Sequence, residues 1–360
     1  MRKDTMSIFL SAREARNLLT VPDSLRTVEQ AFRLYGEERD VSSNPSLSFM
    51  IVPNDAPTLF WMKGARLKAL GVAGVFFGAQ FGDYYFLVSD CRTGTLRGIV
   101  EQSWLVKRRT AATAVVTAMK LARSGSTVAA LVGAGQIGEE VVRCLPHAFR
   151  LSDFRVASRT FEGASAFVER LKPEVEAPLR AVASAEEAIR GADIVITITL
   201  ASEAFVKAGW LKEGALLVSM GGVHEVHHEV LAEIDRVVVD DPGHALLRGD
   251  FASWIDRGEI TLDAMRQRID ADIGEVVFGS KAGRTSESQR IMAVIQGMAV
   301  CDLATAAFLL DKAKAAGAGH ALPVEPQMNL PELTKMKPRA ESISSGLRRR
   351  RPAAGARRQS

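Results

Sequence analysis

Residues 127–149 read TVAALVGAGQIGEEVVRCLPHAF, and this stretch decides the fold. Val128 to Val132 is a short apolar run bounded by glycine, which is typical of a strand buried on both faces. The next glycines have the spacing G-x-G-x-x-G and are Gly133, Gly135 and Gly138. That spacing suits a tight turn, close approach of the backbone to a pyrophosphate, and close packing of a helix on the strand. We therefore predict a strand, a phosphate-binding turn and a helix whose N-terminus faces the phosphates.

Further strand-like runs follow the glycine turn and alternate with helical patterns. They are Phe154 to Ala157, Ala192 to Thr199, Gly214 to Met220, and Arg236 to Asp240. Such alternation predicts a doubly wound parallel sheet of the Rossmann type. The alternative is a glycine turn in another α/β protein that binds no nucleotide. The expected cofactor-binding residues are Gly133, Gly135, Gln136, Ile137, Gly138, Ser158, Arg159, Thr160 and Thr199.

The end of the second strand of this sheet indicates which cofactor is preferred. In dinucleotide folds, an acidic residue there binds the adenosine 2′-hydroxyl and repels a 2′-phosphate. Here the strand is followed by Ser158-Arg159-Thr160, and Asp153 stands at the opposite end. Two hydroxyls and a guanidinium are groups that accommodate a phosphate dianion. We predict a preference for NADP(H) over NAD(H), the alternative being that Arg159 points to solvent or stacks on the adenine.

The remainder of the chain predicts a second, discontinuous domain. The N-terminal part predicts a strand at Ile8 to Leu10, two helices, and antiparallel strands between Leu47 and Val100. The stretch Trp104 to Leu121 predicts a connecting helix, and Ile291 to Ala315 predicts a long apolar helix that packs back onto the N-terminal part. The fold class is α/β: a Rossmann-type sheet plus a discontinuous α+β substrate-binding and dimerisation domain. The predicted ranges are 1–117 with 291–320, 118–290 for the nucleotide domain, and 321–360 for a tail.

Composition limits the possible functions. The 360 residues include three cysteines far apart and no cluster at metal-ligand spacing, so the sequence predicts neither a disulfide framework nor a metal site. No apolar run reaches the ~20 residues of a membrane span, and no signal cleavage site is visible, so we expect a cytoplasmic location and no membrane partner. From Lys335 onward there are nine lysines or arginines and one glutamate, so residues 335–360 carry +8 and residues 1–334 carry −4. We expect a disordered basic tail and no specific nucleic-acid binding.

With these elements in place, the chain resembles the ornithine cyclodeaminase and mu-crystallin family over roughly residues 7–318. The resemblance rests on several motifs in the same order, including LVKRRTAAT (105–113), VGAGQIG (132–138), WLKEGALLVSMGG (210–222) and GEVVFGSKAGRTSES (274–288). Members include redox-neutral cyclodeaminases, alanine dehydrogenases, ketimine reductases and siderophore-pathway dehydrogenases. The resemblance implies a nucleotide domain and a second domain that holds the substrate and dimerises through its sheet.

The resemblance carries over one substrate residue and departs from the family at three others. Arg109 matches the arginine that pairs with the substrate carboxylate. The family lysine of a G-V-K segment corresponds to Ala73 of Gly71-Val72-Ala73, and the family aspartate after the fourth strand corresponds to Val223. An arginine expected after the proline at Pro45 is absent as well. A valine can neither move a proton nor pair with an ammonium, so ornithine cyclisation by the family mechanism is not expected.

Other residues then have to supply the proton chemistry. The candidates are Lys63, Lys68 and His224, and His224 titrates in the range suited to donating a proton near neutrality. The alternatives are that the lysines are surface charges and that His224 is a solvated residue. His224 and His227 have the spacing of a metal pair, but without a further ligand we predict no metal.

Three functions remain open from the sequence. The first is a pyridine-nucleotide oxidoreductase acting on a small carboxylated imino or amino acid, and this is the prediction that we prefer. The second is a redox-neutral cyclodeaminase or lyase that recycles its cofactor, and the third is a non-catalytic nucleotide-binding protein of the mu-crystallin type. We also predict a homodimer, because the apolar region Leu59 to Val88 would leave an exposed sheet edge on a monomer.

Overall fold

The computed structural model describes residues 6–37, 60–79 and 82–324, together with the backbone of 49–51. The predicted tail therefore lies outside the described residues from 325 onward, as does Pro45 with its neighbours. Residues 1–322 form one compact unit. Within the described ranges, no helix has both the length and the apolar character needed to cross a bilayer.

Seven strands build the first sheet, whose order is β15-β1-β6-β5-β4-β3-β2. Its strands are β1 (Ile8–Leu10), β2 (Phe49–Ile51), β3 (Phe60–Leu67), β4 (Val72–Ala79), β5 (Tyr84–Asp90), β6 (Leu96–Glu101) and β15 (His320–Ala321). Strands β2 to β6 form an antiparallel meander, as predicted. The turn between β5 and β6 is closed by Asp90, whose carboxylate accepts hydrogen bonds from the backbone N–H groups of Arg92 and Thr93.

Four helices pack with this sheet or beside it. They are α1 (Ala12–Leu18), α2 (Val21–Glu37), α3 (Leu105–Leu121) and α11 (Ala299–Ala315). Helix α1 begins with the predicted capping box, in which Ser11 and Glu14 exchange hydrogen bonds with each other's backbone. Helix α11 is apolar on all sides and packs against β3, β4 and β5 on one side and α2 on the other.

The first sheet has an apolar outer face as well as the predicted edge. Strand β2 pairs only with Phe60–Met62 of β3, so residues 63–67 of that edge have no strand partner on this side among the described residues. Side chains alternate between the two faces of a strand. Val72 and Phe76 point toward α11 and are buried, whereas Val75 and Phe77 point away from it and are only half-buried. The outer face of this sheet therefore carries apolar side chains that are partly exposed.

Eight strands build the second sheet, all parallel, in the order β13-β12-β14-β11-β10-β7-β8-β9. Its strands are β7 (Val128–Val132), β8 (Asp153–Ala157), β9 (Leu179–Ala181), β10 (Ile194–Thr197), β11 (Leu216–Ser219), β12 (Arg236–Val239), β13 (Ala271–Asp272) and β14 (Ile291–Val294). The accompanying helices are α4 (Gln136–Cys144), α5 (Phe161–Leu171), α6 (Ala185–Ile189), α7 (Pro242–Ala245), α8 (Gly249–Asp256), α9 (Leu262–Arg268) and α10 (Ile273–Phe278). The predicted doubly wound sheet is confirmed.

The segment from Ile291 to Ala315 is not one helix, and that prediction is wrong at its N-terminal end. Ile291–Val294 is a strand that pairs with β11 on one side and β12 on the other. A short, fully buried apolar run has no solvent side, so its periodicity does not separate strand from helix. Helix α11 begins only at Ala299. The predicted domain boundary at 290–291 therefore falls at the start of a nucleotide-sheet strand, and the boundary at 117–118 falls inside α3.

Candidate active site

The glycine turn after β7 has the shape that the sequence predicts. Gly133 has φ +129°, and a Cβ atom there would collide with the carbonyl of Ile198. A Cβ on Gly138 would collide with the carbonyl of Gly133, whereas a Cβ on Gly135 would meet nothing within 4 Å. Gly135 is the N-cap of α4. Open space at this glycine, before the free N–H groups of the first helical turn, fits a pyrophosphate.

The end of β8 leaves one cationic side chain free. The hydroxyl of Ser158 donates to the carbonyl of Thr160 at 2.7 Å, and the hydroxyl of Thr160 caps α5 by accepting from Gly163 N at 3.1 Å. Ser158 is therefore not a free donor, although Thr160 keeps its own proton. Arg159 is exposed and has no ion pair with any described residue. Asp153 pairs with Arg155 and Arg180 at the start of the strand.

The buried carboxylate of Glu225 fixes the loop that carries Thr199. It accepts from Thr199 N at 2.6 Å, from Thr197 Oγ1 at 2.6 Å and from Gly221 N at 2.9 Å. Asp250 in turn accepts from the N–H groups of Glu225 and Val226. Burial, followed by the nearby charge of Glu225, raises the pKa of Asp250 to about 7. These contacts join the carboxyl ends of β10 and β11, where ligands bind in open α/β sheets.

A buried ion cluster joins β3, α3 and α11. Asp302 on α11 is completely buried; its Oδ2 lies 2.9 Å from Lys63 Nζ on β3, and its Oδ1 accepts from Arg109 Nε on α3 at 2.6 Å. Arg109 is 4% exposed, so it is not a helix-surface residue. Its Nη1 is buried without a hydrogen-bond partner among the described residues and lies 3.0 Å from the position that a Cβ on Gly297 would take. A buried guanidinium with one unsatisfied donor is suited to receive a carboxylate.

Lys63 has an unusual environment for a lysine. Burial lowers its pKa, the charge of Asp302 raises it again, and the charge of Arg109 lowers it further, with a net decrease. Its ammonium also lies 5.2 Å from the centre of the Phe76 ring. An ammonium with a lowered pKa gives up its proton more readily, which suits proton transfer.

The register of β3 and β4 places Ala73 and Lys63 on opposite faces of the sheet. Lys63 is paired with Phe76, while Ala73 is paired with Arg66 and lies on the other face of the sheet. A lysine at 73 would therefore not reach Asp302. The β4 residue beside the cluster is Phe76. Lys68 is exposed in a 3-10 turn after β3 and is not part of the cluster.

His224 does not join the cluster either. Burial is the main cause of its lowered pKa, and the charges that act on it most are those of Arg257 and Glu259 beyond the end of α8. Both ring nitrogens are buried without a described hydrogen-bond partner. Val223 is 45% exposed beside it. Among the described residues no group of three or more potential metal ligands is present.

The structure adds residues that the sequence analysis missed. Asp302 had one visible signal, since a charged residue within an apolar helix requires a buried partner. Asp240, at the end of β12, accepts from Gly297 N at 2.5 Å and so fixes the glycine beside Arg109. His244 in α7 has its pKa lowered to about 4, first by burial and then by the charges of Arg248 and Lys63. No pattern in the sequence connects these residues, because they meet only through the fold.

Comparisons with known proteins agree with this architecture. The family model described as the ornithine cyclodeaminase/mu-crystallin family matches residues 7–317. A delta(1)-pyrroline-2-carboxylate reductase of Bacillus cereus is 26% identical over 327 residues, which cover 87% of this chain and 98% of that protein.

Two solved structures have the same fold. The Thermococcus litoralis delta(1)-pyrroline-2-carboxylate reductase, in complex with NADH and L-proline, has a TM-score of 0.80 at 24% identity and covers 88% of this chain and 100% of its own. An archaeal alanine dehydrogenase, a dimer with bound NAD, has a TM-score of 0.80 at 23% identity and covers 89% and 99%.

Proposed function

Because the chain belongs to the ornithine cyclodeaminase/mu-crystallin family, we propose that it is an NAD(P)H-dependent oxidoreductase that reduces the C=N bond of a small imino acid. The reverse reaction oxidises the corresponding amino acid. The observation that carries the proposal is the unsatisfied Nη1 of Arg109, a buried cationic donor that faces the carboxyl ends of the nucleotide sheet. The named activity of the Bacillus cereus relative supports this class of reaction.

Three residues of the ion cluster have distinct roles in this proposal. Arg109 binds the substrate carboxylate through its free Nη1, and Lys63 donates a proton to the imine nitrogen. Asp302 holds both side chains in position and compensates their charge. The nicotinamide ring, when bound, supplies the hydride. Burial of the cluster keeps water away and strengthens each of these electrostatic interactions.

The residue at position 223 argues against ornithine cyclisation. Val223 is apolar and partly exposed, so it cannot pair with the ammonium group of a diamino acid. Asp302 does not replace it, because Lys63 and Arg109 already occupy its two oxygens. The site therefore suits an imine better than a substrate with two free amines.

The proposal is tested by following the absorbance of the reduced nicotinamide in a substrate screen. The purified protein is mixed with NADPH or NADH and with cyclic imines, or with 2-keto acids plus amines. Consumption of the reduced cofactor that depends on a carboxylated imine supports the proposal, and Lys63→Met is expected to reduce it strongly. Turnover without net absorbance change would instead indicate a redox-neutral cyclodeaminase. Cofactor binding without any turnover would indicate a non-catalytic binding protein.

The preferred cofactor in this proposal is NADP(H), and Arg159 determines the preference. Arg159→Ala is expected to weaken NADPH binding about tenfold or more, the usual scale for a charge-assisted contact, while NADH binding stays nearly unchanged. Titration of intrinsic fluorescence with each reduced cofactor measures both affinities. Arg155→Ala, on the strand that precedes Arg159 and paired with Asp153, is the control. Equal loss of both cofactors in Arg159→Ala would contradict this assignment.

We also propose that the chain forms a homodimer through the outer face of the first sheet. Phe77 and Val75 are half-buried on that face, and the archaeal alanine dehydrogenase of similar fold is a dimer. Light scattering is expected to give twice the chain mass, and Phe77→Glu is expected to give a monomer because it places a charge in the apolar contact. Leu262→Glu, at an exposed position of α9, is the control and is expected to leave the dimer intact. A monomer mass for the unmodified chain at micromolar concentration would refute the proposal.

A further inference from the structure

Arg248, between α7 and α8, has no hydrogen-bond or ion-pair partner among the described residues. Its side chain is exposed, and no carboxylate of the described residues lies within ion-pair distance of it. Its guanidinium is not extended into solvent, because Nη2 lies 3.2 Å from the position that a Cβ on Gly222 would take. The guanidinium therefore rests on the glycine backbone just beyond β11.

The register of the nucleotide sheet places Arg248 opposite Arg109. Ser219 at the end of β11 pairs with Val294 at the end of β14. The loops stay together beyond that pair, since Gln296 Nε2 donates to the carbonyl of Gly221 at 3.1 Å. Gly222 and Gly297 are the next residues along, each three steps past the paired residues, and they contact Arg248 and Arg109 respectively.

The two guanidinium groups thus lie over corresponding glycines of neighbouring loops, one residue beyond the hydrogen bond between Gln296 and Gly221 that joins those loops. His244 lies near both arginine positions. The charge of Arg248 acts on its ring, and so does the charge of Lys63, which shares Asp302 with Arg109. The carboxylates nearby are turned toward other groups. Asp240 accepts from Gly297 N and Asp241 N, and Asp241 accepts from His244 N and the hydroxyl of Tyr35. Arg248 is left free to bind an anion.

We propose that Arg248 forms a second anion-binding position in the substrate site, so that the preferred substrate is an imino acid with a second carboxylate on its side chain. Arg109 binds the carboxylate next to the imine carbon, and Arg248 binds the distal one. A Cβ on either glycine would crowd the guanidinium above it, at 3.2 Å from Arg248 Nη2 and 3.0 Å from Arg109 Nη1, so the absence of a side chain lets each arginine take this position. The role given to Arg109 in this assignment rests on the proposed function. The binding of an anion by Arg248 does not depend on it.

Binding of unreactive dicarboxylates tests the inference without requiring turnover. Isothermal titration calorimetry of the full chain with bound NADPH is carried out with succinate, glutarate and butyrate as probes. We expect succinate or glutarate to bind at least tenfold more tightly than butyrate. Arg248→Gln is expected to remove this preference while leaving butyrate affinity unchanged. Arg257→Gln, an exposed arginine beyond the other end of α8, is the matched control and should behave like the unmodified chain.

Three outcomes would overturn the inference. The first is equal affinity for butyrate and the dicarboxylates, and the second is a dicarboxylate preference that persists in Arg248→Gln. The third is a loss of NADPH affinity in Arg248→Gln, which would assign the arginine to the cofactor instead. Failure of the proposed function looks different, since dicarboxylate binding would persist in a protein that reduces none of the imines. Conversely, reduction of monocarboxylated imines without a dicarboxylate preference would leave the proposed function intact and exclude a role for Arg248.

Discussion

Asp302→Asn is expected to lower the free energy of unfolding by about 3–5 kcal/mol, because it leaves two buried cations without their shared anion. Lys63 and Arg109 both pair with this carboxylate, and Asp302 itself is fully buried. Asparagine has nearly the same shape, so the loss reports charge compensation and not a cavity. Urea unfolding followed by circular dichroism measures it.

Asp311→Asn provides the control on the same helix. Asp311 pairs with Arg97, but its side chain is 62% exposed. A surface ion pair of this kind contributes about 0–1 kcal/mol, so the control should lose little stability. Equal losses in the two variants would show that the buried cluster does not depend on the charge of Asp302. A double variant that also carries Lys63→Met should recover part of the stability, because it removes one of the unpaired cations.

Arg109→Ala is expected to lower kcat/KM for a carboxylated imine. The loss corresponds to about 2–5 kcal/mol of transition-state stabilisation. In this expectation the substrate carboxylate binds to the free Nη1 of Arg109, because Nε already donates to Asp302. NADPH affinity should remain nearly unchanged. Steady-state kinetics and a cofactor titration on the same preparation measure the two quantities.

Two further variants separate the substrate contact from a structural effect. Arg109→Lys keeps the charge beside Asp302 but removes the planar fork, so it should fold and still lose most of the activity. Lys107→Gln, a partly exposed residue on the same helix, should retain activity. If Arg109→Ala weakens cofactor and substrate equally, Arg109 is structural and the proposed carboxylate site is wrong.

The sequence was sufficient for the nucleotide half because its signals are local. The glycines at 133, 135 and 138 follow directly on a buried strand, and each of their backbone requirements is visible in a few consecutive residues. The capping box at Ser11 and the Asp90 turn are local as well, and both are confirmed. Strand β14 was missed because burial on both faces removes the periodicity that separates a strand from a helix.

The substrate half could be predicted only in part because its residues come from distant parts of the chain. Arg109 was identified from a motif and Lys63 as one of several candidates, but their shared partner Asp302 lies on a helix 193 residues beyond Arg109. The faces of β3 and β4 depend on their register, which the sequence does not fix, so the pairing of Lys63 with Phe76 could not be predicted. His224 was a candidate because it stands next to Val223, whereas His244 was missed because its proximity to Lys63 depends on tertiary packing.

The position of β14 has a consequence for how the protein is made. This strand lies between β11 and β12, although it is synthesised after both, and the chain continues from it into the helix that carries Asp302. The nascent chain therefore exposes an open slot between β11 and β12, and leaves Lys63 and Arg109 without their anion, until residues 291–315 have left the ribosome. Long-range pairing of this kind closes late and slowly. A chain that stops before residue 291 should consequently be far more sensitive to protease than the full-length chain.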